Sequence, residues 1–449
     1  MVFRLKILLI VVGMCISIKS NAQHLQDLWE KTKEYYSGFD VQKQQILLAK
    51  QDSIAQQIKY KPQVQAQFQQ SLSSLNGASG SFMPLPGILN MSGPNDPIGG
   101  SSTFNNFISG TLNWDLVNFG RKGLDKDISS SKIEYSKLQE QNFIYHIQQR
   151  LTQRYIEFIY LNVLNEWFEK HAERYTSILE ITKGLAEAGI VPGADTLLAS
   201  SSLKNVESNL LQIKGKVAGS RELLKEFAKE FNPGDTEITP FLEVIVDTNS
   251  SIQEHPLFLM KRNEAESLQL LEKKTKRNHF PRVMLLGGLT NRSSGITSNG
   301  YVNPNYSALY NDFANNYFVG VGVTWNLQDL FNSRSQRSSL GLKIQNNEFE
   351  QEVIQNEIQS HIAQLEAEII ASDAGIKESN LSRAKAEEAY LLYKARYEGG
   401  LINLSDLLQV QEILLQTERQ NLMAYLNYWN LMISKSYQQA DFSQLFTHF

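Results

Sequence analysis

Residues 108–116 read Ile108, Ser109, Gly110, Thr111, Leu112, Asn113, Trp114, Asp115 and Leu116, so apolar or small side chains alternate with polar ones. A period of two puts Ile108, Gly110, Leu112, Trp114 and Leu116 on one face of a strand and Ser109, Thr111, Asn113 and Asp115 on the other. Three more stretches share the pattern. Val64, Ala66, Phe68 and Leu72 interleave with Gln63, Gln65, Gln67, Gln69 and Ser71; Val283, Leu285 and Leu289 share a face between Arg282 and Thr290; Tyr317, Val319, Val321, Val323, Trp325 and Leu327 stand opposite Gly320, Gly322, Thr324 and Asn326. Strands of about ten residues, apolar outside and polar inside, with aromatics near their ends, are what an outer-membrane barrel requires. A soluble half-buried sheet has the same period, so the strands by themselves leave both architectures open.

The second and fourth stretches are copies of each other. Trp114 and Trp325, Gly189 and Gly400, and Asp195 and Asp406 are each 211 residues apart. The same offset matches Leu116 with Leu327, Ile133 with Ile344, Ile147 with Ile358, Glu187 with Glu398, Leu197 with Leu408, Leu203 with Leu414 and Leu211 with Leu422. The chain is a tandem duplication, and two equivalent halves need one architectural explanation.

Between the strands the pattern is helical. From about Leu124 to Ala186 there is no Pro and no Gly except Gly184, while Ile133, Phe143, Ile144, Ile147, Leu151, Tyr155, Phe158 and Leu161 recur mostly at spacings of three and four. That predicts one helix of roughly 60 residues, about 90 Å long. The second half repeats it from about Leu340 to Glu398. Each long helix ends in a Gly-containing turn, Ala188 to Ala194 and Gly399 to Leu404, and a second helix returns to about Phe231 and about Ala440. Helices of this length point to coiled coils or a helical barrel. The fold class expected is mainly α with a transmembrane β-barrel contribution: a duplicated long-helix α-barrel plus four strands per chain. Its divisions are a leader, 1–22; a first repeat, 23–231, with strand pair 63–116 and tip 187–198; a linker, 232–250; a second repeat, 251–440, with strand pair 282–327 and tip 398–409; and a tail, 441–449.

Residues 76–103 and 291–316, rich in Gly, Ser, Asn and Pro, join the paired strands, and read as long structureless loops on the sheet end away from the helices. Four strands cannot enclose a lumen, and an open edge in lipid leaves backbone groups unpaired at several kcal/mol each. Oligomerisation answers this: three copies supply twelve strands and a matching ring of helices, and cyclic symmetry closes both.

The first 22 residues read as a secretory leader, with Arg4 and Lys6 before an apolar run from Ile7 to Ile18 and small residues Ser20 and Ala22 before an expected cleavage. Cys15 raises a lipoprotein alternative, against which stand the size of Met14 and the continuation of the apolar run. Losing Arg4, Lys6 and Lys19 takes the formal net charge from −4 to −7, which argues against nucleic acid as a partner. With no cysteine left, packing and hydrogen bonds alone hold the exported chain. No later apolar run reaches the roughly 18 residues of a membrane helix.

Chemistry has little to stand on. None of the seven histidines falls in a two-histidine helical metal spacing. There is no phosphate-binding Gly-Lys-Ser loop and no Gly-X-Ser-X-Gly elbow, and Met260, Met284, Met423 and Met432 read as isolated core residues. No enzyme, metal or cofactor is expected.

The whole mature chain resembles the TolC family of outer-membrane efflux and secretion channels. The resemblance rests on Trp114, Asp115 and Leu116 running to Phe119, Gly120 and Arg121 before a long helix, on the partner segment from Trp325, Asn326 and Leu327 to Leu330 and Phe331, on Pro62 and Pro281 opening the first strand of each half, and on the turns Gly189 to Asp195 and Gly400 to Asp406. It implies a homotrimer in outer-membrane lipid, a passive exit duct joined through a periplasmic adaptor to an inner-membrane pump. It also implies a gate at the periplasmic tips, where the family places two acids one helical turn apart and ties helices with tyrosine and arginine. Here Asp406 matches the first acid, Gln409 stands at the second, Ile402 takes the place of the arginine, Tyr397 matches the tyrosine, and Asp195 is its partner.

Other readings of these residues stand beside it. Asp195 and Asp406 begin the returning helices, where a carboxylate satisfies free N–H groups and the helix dipole. Gly189, Gly399 and Gly400 read as turn residues that permit positive φ. Trp114 and Trp325 suit either a membrane interface or packing at the strand-to-helix junction. The polar faces Gln63, Gln65, Gln67 and Gln69 and Ser109, Thr111, Asn113 and Asp115 would wet the pore. The rival architecture is a periplasmic coiled-coil scaffold or adaptor.

Overall fold

The computed structural model describes residues 24–74, 80–85, 88–92, 102–229, 238–245, 255–297 and 301–449. The leader with Cys15 and the cleavage after Ala22, most of the 232–250 linker and parts of both strand-joining loops lie outside the described residues. The elements in chain order are α1 (His24–Tyr35), α2 (Gly38–Ile58), β1 (Gln63–Ser74), β2 (Gly80–Leu85), β3 (Ile88–Ser92), β4 (Ser102–Val117), α3 (Arg121–Glu187), α4 (Gly193–Leu224), α5 (Pro256–Lys276), β5 (Arg282–Ser294), β6 (Ala314–Thr324), α6 (Gln328–Glu398), α7 (Leu404–Gln438) and α8 (Ser443–His448). Short 3₁₀ turns lie at Thr239–Leu242 and Tyr306–Tyr310. Helix α6 starts twelve residues before the expected Leu340. The Asn, Ser and Gly residues between Asn332 and Gly341 depress local helix propensity, a weak preference that context overrides.

The residues form two compact units. One comprises the described residues within 1–46, 135–263 and 348–449, and its interior is helical. Trp429, Tyr155, Tyr428, Phe158, Phe227 and Phe241 are among its largest fully buried side chains, with Leu25, Leu28 and Phe442 beside them. Each aromatic contributes roughly 2–3 kcal/mol by burial. Along α7 the buried positions run Leu404, Leu407, Gln411, Leu414, Glu418, Asn421, Tyr425, Tyr428 and Met432. Alternating steps of three and four are the seam of a coiled coil. Residues 238–245 are held against this core, because Trp429 Nε1 donates to the Phe241 carbonyl at 2.8 Å and Tyr428 donates to that of Ile245 at 2.6 Å. The 441–449 tail is core as well: Leu445, Phe446 and Phe449 are buried, and the Leu25 N–H donates to the Phe449 carbonyl at 3.2 Å.

The other unit, Leu47–Glu134 with Glu264–Asn347, holds an antiparallel four-stranded sheet of order β1-β4-β5-β6. Both outer strands, β1 and β6, have one unpaired edge among the described residues. β6 ends at Thr324, so Trp325 and Leu327 lie just past it. The strand-joining segments are not structureless. β2 and β3 form a hairpin of their own within 76–103. In 291–316, Val302, Ala308 and Leu309 are buried, and Thr103 donates to the Asn303 carbonyl at 2.5 Å. Asn-, Ser- and Tyr-rich composition hid this, because the packing uses three small apolar residues among many polar ones.

Candidate functional site

In the sheet, register decides which side chains share a face. Gln63 pairs with Asn113, Gln65 with Thr111 and Gln67 with Ser109. Directly opposed residues point to the same side. The eight polar residues singled out from β1 and β4 therefore form one band, which Phe107, opposite Gln69, interrupts. The band is mixed further across: Asn113 pairs with Leu286 and Asp115 with Met284, so apolar side chains of β5 share it. Gly322 and Gly320 make room there, since a Cβ on Gly322 would meet Leu286 at 3.0 Å and one on Gly320 the Phe318 ring at 2.9 Å.

The opposite face is apolar and uncovered. Tyr317 is 84% exposed, Val64 77%, Val319 75%, Leu289 68%, Val323 67% and Phe68 65%. At about 25 cal/mol per Å2 of apolar surface, leaving such a face in water costs several kcal/mol.

At the foot of the sheet the two halves use the same device. Trp114 Nε1 donates to the Tyr60 carbonyl at 3.1 Å and Trp325 Nε1 to the His279 carbonyl at 2.8 Å. Each acceptor stands two residues before a strand-opening proline, Pro62 or Pro281. Both indoles thus fasten the incoming helix end to the outgoing strand end. Trp325 is 55% exposed, so its indole is tied at the junction without being buried there.

The tips are also duplicated. Ile190 N–H reaches the Leu185 carbonyl and Gly189 N–H that of Ala186; Leu401 and Gly400 repeat this with Arg396 and Tyr397, all at 2.9–3.0 Å. Both turns are Schellman caps, with φ of +73° at Gly189 and +70° at Gly400. Gly399 does not adopt positive φ, and a Cβ there would make only ordinary contacts. The acids sit two residues into the returning helices. Asn403 provides the cap of α7, its Oδ1 accepting from the Asp406 N–H at 2.8 Å, and Pro192 precedes α4 without a side-chain cap. Asp195 and Asp406 thus keep the dipole role of a first-turn acid but not the capping hydrogen bond.

Tyr397 is fully buried among Ile178, Ala199, Tyr390, Leu404 and Leu407. Its hydroxyl lies 3.0 Å from Thr182 Oγ1, which donates to the Ile178 carbonyl at 2.8 Å, so Tyr397 is the donor between them. Burial raises the Tyr397 pKa and the Asp195 charge adds to the rise. The structure therefore brings Asp195 near Tyr397 electrostatically, while the hydrogen bond goes to Thr182. Asp406 is half-buried and Gln409 exposed.

Sequence reasoning missed a buried ionic cluster between α3 and α7. Glu418, 5% exposed, receives Arg174 Nη1 and Nη2 on its two oxygens at 3.0 Å each, Trp167 Nε1 at 2.8 Å, and has His171 Nε2 at 2.8 Å. Gln411 Nε2 is 3.1 Å from His171 Nδ1. Burial alone would raise the Glu418 carboxyl; the close His171 imidazole and the hydrogen bonds and charge of Arg174 outweigh it and bring its pKa down to about 2. The available signal was polar residues at seam positions, with Gln411 and Glu418 seven apart and Trp167, His171 and Arg174 along one helical face.

No family model matches the chain, and no curated protein does. Solved structures do resemble it. The outer membrane protein VceC of Vibrio cholerae superposes with a TM-score of 0.73 at 14% identity, over 93% of this chain and 96% of that one. The open-state MtrE outer membrane channel of Neisseria gonorrhoeae gives 0.71 at 13%, over 93% and 89%, and the CmeC outer membrane channel of Campylobacter jejuni 0.67 at 12%, over 92% and 85%.

Proposed function

We propose that this chain, which has the TolC-like fold of outer-membrane channels, is one of three identical protomers of an outer-membrane exit duct. The observation that carries the reading is the four-stranded sheet, with an exposed apolar face, a largely polar opposite face and, among the described residues, two unpaired edges. Lipid is the solvent for that apolar face. Because the strands alternate in direction through an even number, β6 of one copy meets β1 of the next antiparallel, and three copies supply twelve strands. Gln63, Gln65, Gln67, Gln69, Ser109, Thr111, Asn113 and Asp115 would then line the pore.

The duct is passive. Energy comes from an inner-membrane pump through a periplasmic adaptor, whose contact shifts the tips 187–198 and 398–409 from closed to open. Asp406 would place one acid per protomer at the mouth, with Gln409 beside it, and Tyr397 with Thr182 and Asp195 would hold α6 against the first tip. A coiled-coil scaffold leaves the exposed apolar sheet without a solvent. The test is conductance in planar bilayers. Discrete steps, cation preference lowered by Asp406→Asn and conductance raised by Tyr397→Phe support the duct; no conductance from correctly folded protein refutes it.

A further inference from the structure

A second site lies within the sheet unit, where strands hand over to helices. A polar pocket of about 180 Å3 opens between the start of α3, the start of β5 and the first turns of α6. Two guanidiniums, Arg121 and Arg282, face into it. Arg121 is only 9% exposed; its Nε donates to the Asn118 carbonyl at 3.2 Å, and no carboxylate among the described residues lies within ion-pair distance of it. Arg282 is exposed at the pocket mouth, and its guanidinium has no hydrogen-bond or ion-pair partner among the described residues. A third guanidinium, Arg277, packs under the same turn: it donates to the Phe119 carbonyl at 3.3 Å, close enough that any Cβ on Gly120 would collide with it.

Asp125 is committed to Lys274 and the Tyr60 hydroxyl, each at 2.5 Å, while Asp329, on the pocket lining, accepts only from the neutral Asn326 Nδ2 at 3.0 Å; set against the two guanidiniums it leaves the lining with a net positive charge. A guanidinium cannot shed its proton, and burying one, as Arg121 is buried, without a counter-charge in contact is costly. The cheapest remedy is an anion. Asn278, Asn332 and Gln336 add neutral amides around the cations, which suits an oxyanion with several acceptor oxygens better than a halide.

We propose that this pocket binds a phosphate group. Arg282 pairs with Thr324 on the face that carries Ser109, Thr111 and Asn113, so the site opens beside the largely polar face of the sheet. Free phosphate, a phosphate-bearing solute and a phospholipid head group share the chemistry that the pocket recognises. The pocket lies wholly within this unit and does not depend on conduction.

The experiment is thermal unfolding of the full chain in a phosphate-free detergent, with inorganic phosphate titrated at constant ionic strength against chloride, and separately with short-chain phosphatidylglycerol. The expected result is a saturable rise in Tm, its apparent affinity weakened about tenfold or more by Arg282→Gln. Gln336→Met, an exposed change that leaves both cations in place, should weaken it less. A rise with inorganic phosphate identifies the free anion as a ligand, and a rise with the lipid alone identifies the head group; either, if lost in Arg282→Gln, supports the site. No rise in either arm, or a rise that both variants retain in full, overturns it.

Discussion

Replacing Glu418 by Gln tests the buried cluster with almost no change of volume. The wild-type carboxylate takes both Arg174 Nη donors and the Trp167 indole, and lies against His171. Gln offers one acceptor oxygen, and its amide nitrogen must face a donor, so one partner loses its bond and the Arg174 charge loses its compensation. Removing one member of a buried ion pair typically costs 3–5 kcal/mol. Arg174 is partly exposed, with 21% of its side chain in contact with solvent, which places this case near about 3 kcal/mol. For a unit of this size that corresponds to a fall in Tm of roughly 6 °C. The assay is thermal unfolding of the detergent-solubilised protein in a double-mutant cycle with Arg174→Met. The double variant should recover about 2 kcal/mol relative to the sum of the singles. A Glu418→Gln Tm within about 1 °C of wild type, or strict additivity, would show that the cluster does not hold α3 to α7.

The same carboxylate gives a pH signature. Its folded pKa, about 2, is depressed, so its stabilisation is complete above the ordinary glutamate pKa near 4.3 and is lost as pH falls from there towards 2, amounting to about 3 kcal/mol; acid titration of Tm should show this loss in wild type and not in Glu418→Gln. Gly400→Ala and Gly189→Ala force a side chain into positive φ and should each cost about 1 kcal/mol, whereas Gly399→Ala should be close to neutral, as chemical or thermal denaturation can measure. Trp325→Phe removes the donor to His279 and should cost about 1 kcal/mol, with a similar loss for Trp114→Phe, read from the unfolding of the sheet unit.

The duplicated frame was legible because its periods are long and its punctuation is chemical. Two turns with Gly at the same offset became two Schellman caps, and two prolines marked the junctions that Trp114 and Trp325 fasten. The strand alternation gave the correct faces on β1 and β4. It was less informative on β5 and β6, where Leu286, Met284 and Phe318 share the polar side and glycines make room for them. The α6 start at Gln328 is hard to read because its first turns are poor in helix formers. What could not be read was partnership across long sequence separations. Nothing near Glu418 announces Trp167, His171 and Arg174, and nothing near Tyr397 announces Thr182. Such pairings are fixed only when α3, α6 and α7 pack, although a glutamate on an apolar seam marks where one must exist.

The central claim is that the exposed apolar sheet is one third of a closed barrel in lipid. The most direct measurement is the mass of the protein extracted from membranes in detergent, corrected for bound detergent. The account predicts three chains per particle, recovered only when detergent is present. A single chain, or one that remains soluble in buffer without detergent, would contradict it.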